Sequence, residues 1–151
     1  MTEPKTAPTD VPVEEFLATV THPTRHRDAL RMIELCTRVT GHEPRMWGPS
    51  IIGFDTYHYR YASGREGDMP AVGFSPRATA TTIYLSDGVG AHSELLDALG
   101  PHRRSTACVY VTDLDRVDLD VLERVVTASY ATLTAGSFGT RLSGPARTVE
   151  G

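Results

Sequence analysis

The feature that most constrains the fold is a change in the spacing of apolar residues near the middle of the chain. Up to residue 41 apolar side chains recur three to four positions apart, whereas residues 51–86 hold short apolar or alternating runs rich in branched and aromatic side chains. Tyr57, Tyr59 and Tyr61 occupy alternate positions, and glycine or proline punctuates the runs. Consecutive runs of this kind predict strands joined by short loops, as in an antiparallel meander.

Two helices are predicted before this segment. Pro12 suits the first turn of a short amphipathic helix, and Asp10 is a suitable cap for it. A longer helix is expected after His22 and Pro23, because its apolar pattern runs on until Gly41. The change from a helical to a strand-like period therefore falls between residues 41 and 51.

The second half of the chain mixes both kinds of element. Residues 92–100 predict a short helix, and residues 107–111 predict a last strand. A closing helix follows Asp118, which is a plausible cap. This order predicts an α+β fold with one antiparallel sheet of about five strands and helices packed on one face.

Length and local composition predict one domain with two flexible ends. A chain of 151 residues fits a single domain, which we expect to span residues 11–135. Residues 1–10 are rich in threonine, proline and charge, and residues 136–151 are rich in glycine, serine, threonine and arginine. We expect these segments to be a disordered amino-terminal arm and a disordered tail.

Charge and hydropathy exclude several classes of protein. A net charge of -4 disfavours general nucleic-acid binding, which usually requires a basic face. The amino terminus lacks the apolar run of a secretory signal, and no apolar stretch approaches the roughly 20 residues of a membrane span. We therefore expect a cytoplasmic protein without membrane contact, whose two cysteines are free thiols.

A candidate ligand-binding face lies within residues 46–76. This stretch holds the only tryptophan of the chain beside alternating tyrosines and a charged, glycine-containing loop. Aromatic rings next to a guanidinium group suit a shallow site for a small anionic ligand. The candidate residues, including one arginine just after the stretch, are Trp47, Tyr57, Tyr59, Tyr61, Arg65, Asp68 and Arg77.

Each part of this face has a structural alternative. Tyrosines at alternate strand positions share one side, so they form either a ligand surface or, as we favour, the inner side of a sheet beneath helices. Two glycines in residues 63–68 allow a close backbone approach to a ligand, and Arg65 could bind a carboxylate or phosphate in a bidentate manner. The alternative is a hairpin turn in which Arg65 pairs with Glu66 or Asp68.

Other reactive residues do not form a convincing site. His22 and His26 have the spacing of two metal ligands on a helix, but Pro23 places His22 at the helix cap. Cys36 and Cys108 lie on apolar stripes and are expected in the core. No nucleophile, base and electrophile set is visible, so an enzyme of unknown class ranks last among the hypotheses.

Several segments resemble one known family in the right order. They are MWGPSIIGF, YHYRYASGREGDMPAVGFSPR, TTIYLSDG and LGPHRRSTACVYVTDLDRVDLDVLERVV. Across roughly residues 13–130 the chain resembles the YdhG-like family, also known as domain of unknown function 1801. The resemblance implies a frataxin-like sandwich, and one branch of the family is described as an intracellular iron chaperone.

The resemblance favours a small binding protein over an enzyme. The hypothesis that we rank first is a non-enzymatic protein without a cofactor that binds a small anionic ligand or a protein partner. Iron delivery is the alternative, but acidic surfaces serve that role and the helix at residues 23–40 is net basic. A homodimer formed through an exposed edge strand is a further hypothesis.

Overall fold

The computed structural model describes residues 8–60, 63–64 and 66–135, with the backbone alone at residues 59 and 60. In this part the strands are β1 (Arg45–Trp47), β2 (Ile51–Arg60), β3 (Glu66–Pro76), β4 (Thr81–Tyr84), β5 (Arg103–Arg104) and β6 (Cys108–Val111). The helices are α1 (Val13–Leu17), α2 (Pro23–Thr40), α3 (Ser93–Asp97) and α4 (Leu119–Leu133), with 3-10 turns at Val89–His92 and Leu114–Arg116.

The strands form one antiparallel sheet in the order β1-β2-β3-β4-β6-β5. This sheet, together with the helices, confirms the predicted α+β fold. The described part contains six strands where about five were expected. The short strands β1 and β5 were not predicted, because three and two residues cannot establish a recognisable apolar period.

The ends of the two long helices follow the predicted signals. His22 caps α2 by accepting a hydrogen bond from the Arg25 N–H at 3.4 Å, and Gly41 ends the helix with φ of 72°. Asp118 caps α4 through the N–H of Asp120 at 3.0 Å. The predicted cap of α1 was wrong, because that helix begins directly after Pro12 without a side-chain cap. None of the helices in the described ranges combines the length and apolar character that a membrane crossing requires.

The two faces of the sheet carry different side chains. Alternate strand residues join the main hydrophobic cluster together with the helices, and they are Ile52, Phe54, Val72, Phe74, Ile83, Val109 and Val111. Both α2 and α4 contact the sheet and each other. The intervening residues belong to the opposite side. We call this side the outer face and define it by Gly73, Ser75, Thr82, Tyr84, Arg103, Cys108 and Tyr110.

Gly53 leaves room for two rings at one end of the sheet. A Cβ atom at this position would lie 2.6 Å from Cδ1 of Trp47 and 2.7 Å from Cβ of Pro70. Trp47 is 2% exposed although it lies outside the main hydrophobic cluster. The missing side chain at Gly53 therefore permits a second, smaller apolar contact between β1 and the β2–β3 hairpin.

A buried ion network joins α2 to the turn before α4. Asp28 is 0% exposed, and its carboxylate accepts hydrogen bonds from Nη2 of Arg27 at 2.8 Å and from the N–H of Leu114 at 3.0 Å. The buried Arg25 lies 3.7 Å from the same carboxylate. Arg27 also contacts the exposed Asp115 at 3.0 Å. One buried carboxylate thus serves two arginines and a backbone N–H.

The edge of the sheet is extended by the chain before α1. Pro8 forms a bridge with Trp47, and the Thr9 N–H donates a hydrogen bond to the Met46 carbonyl at 2.9 Å. These two residues belong to the segment 1–10 that was expected to be a disordered arm. The remainder of that arm up to residue 7, and the expected tail at 136–151, lie outside the described residues.

The backbone of strand β2 changes conformation at Asp55, where φ is 60°. Asp55 is the one non-glycine residue with positive φ in the described ranges. The ladder between β2 and β3 passes over this position. Its carboxylate accepts hydrogen bonds from the Thr56 N–H and from the Tyr130 hydroxyl, both at 2.7 Å. A side chain of α4 therefore fixes the strand at the point where its pairing is broken.

We expect Tyr130→Phe to lower the free energy of unfolding by about 1 to 2 kcal/mol at pH 7, because the Asp55 carboxylate loses a donor. Burial, followed by the contact with Asp55, raises the pKa of Tyr130 to about 12. The stabilisation is therefore complete below the ordinary tyrosine pKa of about 10 and is lost as the pH rises through about 12. Urea unfolding at pH 7 measures the effect, and an unchanged midpoint and slope would contradict this account.

Candidate functional site

The outer face brings polar and aromatic side chains from four strands into one patch. Cross-strand pairing aligns one row of four residues, which are Ser75, Thr82, Tyr110 and Arg103. The neighbouring row consists of Gly73, Tyr84 and Cys108. Paired residues share a face, as do residues two apart on one strand, so all seven positions lie on the same side of the sheet.

Tyr84 stands near the centre of this patch and is half-buried. Burial raises the pKa of Tyr84, whereas the Arg77 guanidinium and the Ser75 hydroxyl oppose that rise. Ser75 is held in place by donating a hydrogen bond to the Ser50 carbonyl at 2.8 Å. The Arg77 N–H donates to the Ala80 carbonyl at 3.0 Å. The short loop between β3 and β4 thus fixes the backbone of the exposed Arg77.

A second cation lies at the other edge of the patch. The guanidinium of Arg103 is 5.5 Å from the ring centre of Tyr110, which is within the range of a cation–π interaction. The Tyr110 hydroxyl lies 3.2 Å from Oγ of Ser105. Arg103 is exposed, so its charge remains accessible to solvent.

Five described arginines form ion pairs with carboxylates, whereas Arg77 and Arg103, like Arg45, Arg116 and Arg124, form none with the described residues. Arg104 contacts Asp97, Arg38 contacts Glu123 and Arg31 contacts Asp115. Among the described residues no carboxylate forms an ion pair with Arg77 or Arg103. These two guanidinium groups are therefore available to an anion from outside the chain.

The structure describes only some of the sequence-predicted site residues, and it does not bring the described ones together in one exposed site. Trp47 is buried against Gly53, and Tyr57 is half-buried. Asp68 is exposed at the start of β3, whereas Arg77 follows the end of the same strand. Only the backbone is described at Tyr59, which pairs with Gly67. Tyr61 and Arg65 lie outside the described residues.

Pairing in the β2–β3 hairpin further separates Asp68 from the tyrosines. Tyr57 pairs with Met69, and His58 pairs with Asp68, so adjacent residues of β2 occupy opposite sides. The His58 ring contacts Asp68 and Glu66, each at 2.8 Å. The hydrogen bond to Asp68 raises the pKa of His58 most, and the hydrogen bond to Glu66 raises it further. Asp68 therefore contributes to an exposed ionic cluster rather than to the tyrosine side of the hairpin.

The metal-spaced histidines and the two cysteines occupy separate places in the fold. His22 caps α2, and the His26 ring lies 3.2 Å from the Val20 carbonyl. Cys36 is fully buried, and burial raises its pKa. Cys108 was expected in the core but lies partly exposed on the outer face, because it pairs with Tyr84 rather than with a core residue. In the described ranges no group of three or more His, Cys, Asp or Glu side chains could hold a metal ion.

A buried serine, aspartate and histidine also meet beneath α4. Ser129 donates a hydrogen bond to Asp87 at 2.6 Å, and Asp87 contacts His92 at 2.8 Å. The carboxylate lies between the hydroxyl and the ring, so the histidine does not contact the serine as a general base would. All three side chains are buried, and the cluster joins the segment after β4 to α4.

The outer-face residues Tyr84, Tyr110 and Arg103 were missed by sequence analysis. Alternation within residues 81–84 and 108–111 places both tyrosines opposite the buried residues of their strands. That signal could have indicated an outward side. Only the strand order shows that β4 and β6 are neighbours and that Arg103 joins them from β5.

Three comparisons with known proteins identified no relative of this chain. The chain matches no family model, and no significant match was found among curated proteins or solved structures. The chemistry of the outer face is therefore the guide to what the protein binds.

Proposed function

We propose that this protein is a non-enzymatic binding domain that holds a small anionic ligand on the outer face of its sheet. The observation that carries the proposal is the pair of exposed arginines, Arg77 and Arg103, which flank half-buried tyrosines without a carboxylate partner among the described residues. An uncompensated guanidinium can form charge-assisted, bidentate hydrogen bonds to a phosphate or carboxylate.

The surroundings of these arginines also suit an anion. The half-buried Tyr84 and Tyr110 lie between the strands that carry them, and a phenol hydroxyl can donate to a bound oxygen. The whole chain carries a net charge of -4, so the two arginines of this face do not reflect a generally basic protein.

Calorimetric titration with inorganic phosphate at low ionic strength tests this function, because salt screens exposed charges less under that condition. We expect saturable binding, and we expect Arg77→Gln or Arg103→Gln to raise Kd about tenfold, equivalent to about 1.4 kcal/mol. Arg124→Gln on the exposed side of α4 is the matched control and should leave Kd unchanged. No saturable binding, or an equal effect of all three substitutions, would rule the proposal out.

A further inference from the structure

We infer that His58 is a proton-dependent link between β2 and β3, which forms while its ring is positively charged and is released when the ring loses a proton. The side chains of this link are His58, Asp68 and Glu66. They meet where β3 begins, whereas Arg77 follows the end of that strand, so the link does not involve the anion site proposed above.

Both nitrogens of the His58 ring face carboxylate oxygens. Nδ1 lies 2.8 Å from Oδ1 of Asp68, and Nε2 lies 2.8 Å from Oε1 of Glu66. An ionised carboxylate only accepts hydrogen bonds, so each ring nitrogen must donate a proton to its own contact. A neutral imidazole carries one N–H, whereas the imidazolium ion carries two. The two distances therefore correspond to the doubly protonated, positively charged ring.

Strand pairing holds the three side chains on one side of the hairpin. His58 is the cross-strand partner of Asp68, and Glu66 lies two positions from Asp68 along β3. Opposite charges that face each other across strands stabilise an antiparallel pair, and like charges destabilise it. Loss of one ring proton therefore replaces two attractive contacts with two carboxylates beside an uncharged ring.

The pH range of the link follows from the surroundings of the ring. Asp68 and Glu66 are the charged groups of the described ranges that contact His58, and their hydrogen bonds raise its pKa against a smaller opposing effect of burial. The link is consequently complete below the ordinary histidine pKa of about 6.5 and is lost as the pH rises through the higher folded-state value. All three side chains are about half exposed, so the effect is confined to this end of the hairpin.

The first measurement is the titration of the His58 ring C–H resonances in the full chain, followed by NMR. We expect a pKa above 6.5 in the wild-type protein. Asp68→Asn should lower this pKa more than Glu66→Gln does, because the contact with Asp68 raises it most. Glu94→Gln, at an exposed position on α3, is the matched control and should leave the titration unchanged.

The second measurement is hydrogen exchange of the backbone amides, corrected for the intrinsic effect of pH on exchange. Protection at Tyr57 and Met69, which pair beside the link, should fall about two- to fivefold as the pH rises through the pKa of His58, the size expected for exposed ion pairs. Amides of β4 and β6 supply the internal control. His58→Gln should show the lower protection on both sides of this pH range.

Two results would overturn the inference. One is a His58 pKa that is not raised in the wild-type protein, or that neither Asp68→Asn nor Glu66→Gln lowers, because the ring would then not be held as an imidazolium between the carboxylates. The other is a raised pKa with hairpin protection that stays the same across the titration, because the charged ring would then not join the two strands.

Discussion

Asp28→Asn is expected to lower the free energy of unfolding by about 3 to 5 kcal/mol, because it removes the charge that compensates a buried arginine. Asp28 is 0% exposed and Arg25 is 4% exposed, so solvent cannot replace the lost partner. Nε of Arg25 is already buried without a hydrogen-bond partner. The measurement is urea unfolding of the purified variant, with the free energy extrapolated to water.

The same network contains a control. Asp115 contacts Arg27 at 3.0 Å but is about half exposed, and exposed ion pairs contribute at most about 1 kcal/mol. Asp115→Asn should therefore have a small effect. Adding Arg25→Met to Asp28→Asn should recover part of the loss, since it removes the uncompensated charge. Equal losses of unfolding free energy in Asp28→Asn and Asp115→Asn would show that burial does not determine how much each carboxylate stabilises the fold.

Gly53→Ala is expected to destabilise the fold by about 1 to 3 kcal/mol through overpacking. The added methyl group would lie 2.6 Å from Trp47 and 2.7 Å from Pro70, so at least one ring must move. Trp47 is the only tryptophan, and its fluorescence should shift to longer wavelength if the ring becomes more exposed. Thermal unfolding and the emission maximum together report the change.

Gly73→Ala is the matched control, because Gly73 is the cross-strand partner of Gly53. The nearest atom to a Cβ at Gly73 is 3.5 Å away, which is an ordinary van der Waals contact. We expect this variant to be close to the wild-type protein in stability and in tryptophan emission. A Gly53→Ala variant that matches Gly73→Ala would contradict the packing described for Trp47.

The elements with strong local signals were predictable from the sequence. Helix α2 has a proline in its first turn and a glycine just beyond its end, and α4 begins after a capping aspartate. These features act within a few residues, so the sequence alone indicates them. The central strands were also indicated, since their apolar residues form compact runs bounded by glycine and proline.

The candidate site was harder to predict because it depends on contacts between distant segments. Trp47 appeared suited to a ligand surface, but Gly53 and Pro70 enclose its ring. Tyr84 and Arg103 are separated by 19 positions, and the sheet order brings them to one side. Arg77 was a candidate from the outset and is exposed just after β3, whereas Trp47 is buried in β1. Aromatic composition indicated the chemistry of a site but not its location.

A single map of amide chemical shifts tests most directly whether the outer face binds anions. The protein labelled with nitrogen-15 would be titrated with inorganic phosphate at low ionic strength. We predict saturable shifts concentrated at Arg77, Thr82, Tyr84, Arg103 and Tyr110, with the exposed side of α4 unaffected. Shifts that cluster on α4 or on the β2–β3 hairpin, or no saturable shifts at all, would contradict the account.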